Sequence, residues 1–307
     1  SVHGLDQLVG FGRVRVELPL KGADNLPLPH PPLPQKLPTP PPPPRSDATP
    51  AAAGALTTVV PRNGRPALEP ALARLPGGVA ALSVEPAMMN VGIVLPDPGY
   101  LESASEIAHR DGALLIFDEV KTGVTIAPGG ATERFGVQPD IVALAKAIGG
   151  GLPCGAIGGR GDVLALIEAN RVAQMGTFNG NPLTIAASRA TLIDILTPFA
   201  YAHFDSLAEV FQAGLEDAIA QHRLPFHVTT LAARGGVAYR SERVRNYRDY
   251  LEIDKPTVYL SWLYQCNRGV LMAPGVEENW TLSAQHSRAD IQRYVDNFAQ
   301  MGRDLRA

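Results

Sequence analysis

The chain has 307 residues, of which 45% are hydrophobic, and it carries a formal net charge of -3. This length and apolar content suffice for one large domain and a smaller one. Charges of both signs are interspersed, which gives no basic field for nucleic acid. Two cysteines and seven scattered histidines predict neither a disulfide framework nor a metal site.

The sequence also predicts a compartment. No N-terminal stretch resembles a signal peptide, and no apolar run reaches the roughly 20 residues that span a bilayer. Cys154 and Cys266 are interpreted as reduced thiols. We therefore expect a soluble, cytoplasmic protein that acts on a small molecule and has no membrane partner.

Residues 1–55 are predicted to form an irregular N-terminal segment. Residues 14–18 give a weak strand signal, and residues 27–50 contain 12 of the 28 prolines. Proline fixes φ and lacks an N–H group, so a run this dense excludes helices and central strands. We predict a polyproline-like or disordered stretch there.

Alternating strand and helix patterns begin near Leu56 and predict an α/β fold with a largely parallel sheet and helices on both faces. The predicted strands cover residues 57–60, 79–84, 113–117, 141–145 and 155–159, and the predicted helices cover residues 67–75, 98–110, 162–169 and 182–196. Residues 56–197 are assigned to this large domain. Residues 198–307 are assigned to a smaller C-terminal α+β domain, with helices over 203–221, 257–268 and 288–305 and strands over 226–229 and 236–239.

Charged residues follow two of the buried strands. Asp118 and Glu119 end the apolar run 113–117, and Lys146 ends the run 141–145 before three glycines break the chain. Ligands of open α/β sheets bind outside the carboxyl ends of the strands, so the acid and the lysine are expected to face one crevice. A dry pocket there would lower the pKa of the lysine and make its amine a candidate for imine formation.

Several motifs occur in one order along the chain. They are VEPAMMN (84–90), DEVKTG (118–123), FGVQPD (135–140), AKAIGGGLPCGAIGG (145–159), GTFNGNP (176–182) and ENWTLS (278–283). Their order and spacing resemble the class III pyridoxal-phosphate aminotransferases, and within that class the glutamate-1-semialdehyde 2,1-aminomutase branch. The resemblance implies a fold-type-I PLP-dependent transferase that moves an amino group by transamination or by intramolecular exchange.

The resemblance also implies a role for each matching residue. Lys146 would form the Schiff base with pyridoxal 5'-phosphate and move a proton during catalysis, and Asp118 would keep the ring nitrogen protonated. Val120 would pack on the ring, and Asn90 would hydrogen-bond the ring hydroxyl. Thr177 would bind the phosphate of the neighbouring subunit, which implies a homodimer. The alternative for Thr177 is a simple turn residue.

The pattern is incomplete in other places. Glu278 lines up with an active-site glutamate on the substrate side of the pocket, but it could equally be a solvated loop acid. Val2 replaces a tyrosine that stacks on the cofactor in the family, and Thr125 stands where relatives commonly have an arginine. The family's glycine-rich phosphate loop lies upstream of this segment, so we expect the PLP-binding domain to be N-terminally incomplete and its phosphate affinity to be reduced.

Two hypotheses from different classes follow. The first is a PLP-dependent aminotransferase or aminomutase that depends on Asn90, Asp118, Lys146 and Thr177. The second is a catalytically inactive α/β homologue that acts as a dimerising or binding module, because the phosphate loop and the stacking tyrosine are missing. Stoichiometric cofactor in the purified protein would separate them.

Overall fold

The computed structural model describes residues 14–17, 56–73, 78–273 and 280–306. The strands of its larger sheet are Val14–Glu17 (β1), Ala81–Val84 (β2), Leu114–Asp118 (β3), Ile141–Ala145 (β4) and Gly155–Gly159 (β5). They lie in the order of the chain; β1 to β4 are parallel, and β5 pairs antiparallel with β4. The predicted α/β class and the largely parallel sheet are confirmed.

Helices cover both faces of this sheet. They are Arg65–Ala73 (α1), Tyr100–Arg110 (α2), Gly123–Ile126 (α3), Gly130–Phe135 (α4), Gly161–Glu168 (α5) and Pro182–Arg189 (α6). Successive side chains of a strand point to opposite faces. Leu115 and Phe117 of β3 accordingly belong to one core cluster with helix α2, whereas Ile116 belongs to another, against which Val163 of α5 packs. Burial on both faces explains why the strand sequence is continuously apolar.

A buried carboxylate ties the amino-terminal ends of β3 and β4 together. Asp140 Oδ2 accepts a hydrogen bond from the N–H of Leu115 at 2.7 Å and lies 2.8 Å from His109 Nε2. Asp140 Oδ1 accepts a bond from the Arg160 guanidinium at 2.8 Å. Although burial opposes ionisation, these hydrogen bonds lower the pKa of Asp140. The network fixes the edge opposite to the strand ends that carry Asp118 and Lys146.

A three-stranded antiparallel sheet follows in the chain. Its strands are His227–Leu231 (β6), Arg234–Ala238 (β7) and Trp280–Thr281 (β8), and its helices are Pro198–Gln221 (α7), Tyr247–Leu251 (α8), Lys255–Cys266 (α9) and Arg288–Asp304 (α10). Phe211 stacks on Trp280 with ring centroids 4.2 Å apart. A Cβ at Gly235 would lie 2.2 Å from the Trp280 ring, so only glycine fits there. Helices α7 and α10 pack on this sheet through a shared apolar cluster.

Most predicted elements are found within a few residues of their predicted ends, and three differ. Residues 57–60 form no strand, although Val60 is buried. Asp162 lies in the first turn of α5 instead of capping it, because its carboxylate pairs with Arg160. The helix predicted over 182–196 changes into a π-helical turn at Ala190–Ile195. The Pro-rich run 27–50 lies outside the described residues.

One long stretch of the chain, from Gly150 to His203, has no buried residue, and we refer to it as the uncovered stretch. It contains β5, α5 and α6. Large apolar side chains there are exposed, including Phe178 at 81%, Leu183 at 69% and Phe199 at 86%. Within the described residues, no single helix has the length and hydropathy to cross a membrane; the segments 182–195 and 198–221, bent by 74°, meet those criteria only as a pair.

Candidate active site

The acid and the lysine that the sequence singled out lie at the same edge of the larger sheet. Asp118 is the last residue of β3, and Lys146 comes directly after β4. These strands pair in parallel, with Asp118 opposite Ala143. Both side chains therefore start from the carboxyl ends of neighbouring strands, the position where α/β sheets bind ligands.

Asp118 and Lys146 also interact electrostatically. Burial raises the pKa of the Asp118 carboxyl, while the N–H of Val120, which donates to Oδ1 at 3.1 Å, and the positive charge of Lys146 both lower it. Burial has the largest influence, so the net shift is upward. The charge of Lys146 acts on this carboxyl because the two residues lie at the carboxyl ends of adjacent strands.

Lys146 does not lie in a dry pocket within this chain. Its backbone has a φ of +54° at the start of a 3₁₀ turn, Lys146–Gly149, and the residue is exposed. The expectation of a dry pocket is wrong for the single chain. The physical reason is that Lys146 leaves the strand just where the uncovered stretch from Gly150 to His203 begins.

A second buried acid, which the sequence analysis left without a role, supports Asn90. Glu85 follows β2, and its carboxylate accepts hydrogen bonds from the N–H of Met89 at 3.1 Å and from Asn90 Nδ2 at 3.3 Å. Burial, together with the negative charge of Asp118, raises the pKa of Glu85 to about 7. Arg62 fixes the same turn by donating to the carbonyl oxygen of Glu85 at 2.5 Å. An acid directly after a buried strand was the signal available in the sequence.

The two adjacent acids of the DEVKTG motif have different surroundings. Glu119 Oε2 accepts hydrogen bonds from the N–H of Ala131 at 2.7 Å and from Thr122 Oγ1 at 3.2 Å, and the side chain is buried. Gly130 has a φ of +60°, and a Cβ there would lie 2.6 Å from the same oxygen. Glu119 therefore anchors the loop after β3. Of the two acids, Asp118 is the one assigned to the candidate site.

The remaining predicted site residues are distributed as follows. Val120 is half-buried two residues after Asp118, and Asn90 is half-buried beside Glu85. Thr177 lies in an exposed turn between α5 and α6, within the uncovered stretch. Glu278 lies outside the described residues. The roles given to these residues remain predictions.

The fold and the placement of charges define a class of protein. The chain has the α/β fold of the PLP-dependent transferases, with a lysine and carboxylates at the carboxyl ends of neighbouring parallel strands. The sequence model of the class-III aminotransferases matches residues 59–253. The chain belongs to the class-III aminotransferase family.

Relatives with known names support this assignment. The chain is 39% identical over 246 residues to a glutamate-1-semialdehyde 2,1-aminomutase of Roseiflexus castenholzii, which covers 80% of the chain and 57% of that protein. One similar solved structure is a lysine-to-alanine variant of a glutamate-1-semialdehyde aminomutase from Pseudomonas aeruginosa PAO1 in complex with PMP. It superposes with a TM-score of 0.75 at 31% identity, and the match covers 84% of this chain and 59% of that one. An omega-transaminase from Sphaerobacter thermophilus superposes with a TM-score of 0.80 at 27% identity, covering 85% and 60%.

The matched region is shorter than these relatives. The chain spans between 56% and 58% of the length of the curated relatives named as glutamate-1-semialdehyde 2,1-aminomutases. Activity, substrate and assembly therefore belong to the proposals that follow.

Proposed function

We propose that this protein transfers amino groups with pyridoxal 5'-phosphate as its cofactor, either as an aminotransferase or as a glutamate-1-semialdehyde 2,1-aminomutase-like enzyme. The observation that carries the proposal is that Asp118 and Lys146 lie at the carboxyl ends of two neighbouring parallel strands. The chemistry of the available groups fits the cofactor. An amine suits its aldehyde, a carboxylate suits its ring nitrogen, and an amide suits its hydroxyl.

Each residue has a distinct task in this proposal. When bound, the cofactor supplies an electron sink for the substrate carbon that loses a proton. Lys146 holds the cofactor through Nζ and moves the proton at the substrate carbon. The Asp118 carboxylate keeps the ring nitrogen protonated, and Asn90, held by Glu85, donates to the ring hydroxyl. Val120 packs against the ring.

Purified protein incubated with pyridoxal 5'-phosphate and reduced with borohydride is expected to carry the cofactor on Lys146, which peptide mass spectrometry detects. The same preparation is then given glutamate semialdehyde alone, or an amino donor together with an oxo acid. Turnover of the semialdehyde alone indicates an aminomutase, and turnover only with the pair indicates a transaminase. A folded protein that takes up no cofactor would leave the non-catalytic binding module as the better description.

We further propose that the active unit is a homodimer. The uncovered stretch from Gly150 to His203 supports this assembly. Its exposed apolar side chains, including Phe178 and Phe199, form a surface of the kind that proteins bury against a partner. Thr177 lies on this same surface, next to Phe178. A partner that packs there would receive Thr177 at its own crevice, which agrees with a contact from that residue to the partner's cofactor phosphate. A cytoplasmic location stays a prediction.

Replacing Phe178 with aspartate is expected to weaken dimerisation by about 30-fold or more, the effect of losing a buried aromatic anchor worth about 2 kcal/mol. Sedimentation velocity over a concentration series measures the shift from dimer to monomer. Leu305→Asp serves as the matched control, because Leu305 is also an exposed apolar residue but lies at the end of α10, outside this surface. A wild-type protein that is monomeric at all concentrations contradicts the proposal.

Subunit complementation tests whether Thr177 acts across the interface. Lys146→Ala and Thr177→Ala are each expected to have low activity alone. A mixed dimer contains one site with both wild-type residues if Thr177 serves the partner, so mixing the unfolded variants and refolding them together should restore activity. No restoration is expected if Thr177 serves its own subunit.

A further inference from the structure

The contact between Glu85 and Asn90 depends on whether Glu85 carries a proton. Glu85 is buried directly after β2, and Asn90 is half-buried at the end of the same turn. Asn90 Nδ2 lies 3.3 Å from Glu85 Oε1 and 3.4 Å from Oε2, and Oε2 also accepts the N–H of Met89 at 3.1 Å. Both carboxylate oxygens therefore face donors, which is the arrangement that an ionised acid requires.

A protonated Glu85 needs a different arrangement. A carboxyl that carries a proton is also a donor, and its buried O–H needs an acceptor. In the described part of the chain, the two groups that bond to this carboxylate, the N–H of Met89 and Asn90 Nδ2, are both donors. The Asn90 amide can supply the acceptor by turning over about its last side-chain bond, which has a roughly two-fold torsion. Oδ1 then takes the place of Nδ2.

The charges around the turn bring this change close to neutral pH. Burial and the negative charge of Asp118 at the end of β3 raise the pKa of Glu85 to about 7, against smaller opposing influences that include the charge of Arg62. Two cations act from the backbone side of the turn. Arg62 Nη1 donates to the carbonyl oxygen of Glu85 at 2.5 Å, and Lys121 Nζ donates to that of Met89 at 3.2 Å. Both arrangements of Asn90 are therefore populated near neutral pH.

We propose that Glu85 is a positioning residue whose proton decides which end of the Asn90 amide faces the cofactor. When Glu85 is ionised, it takes Nδ2, and Oδ1 is turned to the other side. When Glu85 is protonated, its hydroxyl donates to Oδ1, and Nδ2 is turned toward the ring oxygen, to which it donates. The proton is exchanged with solvent. The inference rests on the proposed function for the cofactor, but the two arrangements belong to the protein alone.

The first test uses the cofactor-free protein and NMR on both sides of neutral pH. The Glu85 carboxyl carbon and the Asn90 side-chain amide should titrate with one common midpoint. The nuclear Overhauser cross-peak between the Asn90 Nδ2 protons and the N–H of Met89 should be strong above this midpoint, where both groups donate to Glu85 Oε2. It should be weak below the midpoint, because the amide has turned over. A cross-peak of equal strength on both sides overturns the proposal.

Glu85→Gln imitates the protonated acid, because its carbonyl oxygen can keep the bond from Met89 while its NH₂ group donates to Asn90 Oδ1. In this variant the Asn90 amide should not titrate, and the cross-peak should stay weak at high pH. Glu102→Gln is the matched control, since Glu102 is an exposed glutamate of α2, and it should titrate like wild type. An Asn90 titration that persists in Glu85→Gln contradicts the proposal. If thermal unfolding shows that Glu85→Gln does not fold, the wild-type cross-peak decides.

The second test measures the affinity for pyridoxal 5'-phosphate. The affinity of Glu85→Gln relative to wild type should rise by about 10-fold from below to above the Glu85 midpoint, the effect of one hydrogen bond to a charged group. The ratio cancels the pH dependence of the cofactor and of Lys146, which both proteins share. A ratio that is constant with pH overturns the inference and leaves the proposed function standing. If borohydride attaches no cofactor to Lys146, the proposed function fails, and NMR still decides whether Glu85 turns Asn90.

Discussion

Replacing Lys146 with alanine is expected to lower amino-group transfer by roughly 10³-fold or more, because one side chain both holds the cofactor and moves the substrate proton. The same change should abolish covalent retention of the cofactor after borohydride reduction. The fold should persist, since Lys146 is exposed and substitutions of exposed side chains typically change the free energy of unfolding by less than about 0.5 kcal/mol. Initial rates, intact-protein mass and thermal unfolding measure the three effects.

The control for this variant is Lys255→Ala. Lys255 begins α9, which follows the larger sheet in the chain, and the sequence gives it no role. Its loss should leave cofactor attachment and rate unchanged. Cofactor that remains attached to the Lys146→Ala protein, or a rate within a few-fold of wild type, would exclude Lys146 as the catalytic lysine and with it the proposed mechanism.

The backbone of the site could be predicted from sequence because it depends on local patterns. The run IVALA has no polar residue, so β4 was found with its observed ends, Ile141–Ala145, and Lys146 had to follow it. The run before Asp118 gave β3 within one residue at each end. Parallel strands align their carboxyl ends, which brought the acid and the lysine to one edge without any knowledge of long-range contacts.

The parts that sequence missed depend on partners far apart in the chain. Arg62 holds the turn at Glu85 from 23 residues away, and Arg234 reaches Thr125 across 109 residues. No periodic pattern reports such pairs. The exposure of Lys146 is of the same kind, because burial there depends on what covers the stretch from Gly150 to His203. Asp118 and Glu119, in contrast, are adjacent in the chain, and the sequence could not tell which of them holds the loop. The N–H of Ala131, which donates to Glu119, shows that Glu119 has this role.

Replacing Asp118 with asparagine is expected to lower the rate of amino-group transfer by about 10²–10³-fold, the usual loss when one preorganised electrostatic partner of a reaction is removed. Asparagine keeps an oxygen that can accept the hydrogen bond from the N–H of Val120, so the loop should remain in place. It cannot stabilise a protonated ring nitrogen. Cofactor should still be trapped on Lys146 by borohydride, which separates a catalytic defect from a binding defect.

A second readout for Asp118→Asn requires neither cofactor nor turnover. Burial and the Asp118 charge together raise the pKa of Glu85 from 4.5 to about 7, so the folded protein binds a proton that the unfolded chain releases. Protonated Glu85 therefore contributes to the free energy of unfolding in full below about pH 4.5. This contribution is lost as the pH rises toward and through 7. Removing the Asp118 charge should lower the pKa of Glu85 and reduce that loss, as carboxyl NMR titration and unfolding at several pH values would measure. Asp205→Asn, on the exposed side of α7, should change neither. An unchanged pKa of Glu85 in Asp118→Asn would show that the Asp118 charge does not act on Glu85 and would contradict this prediction.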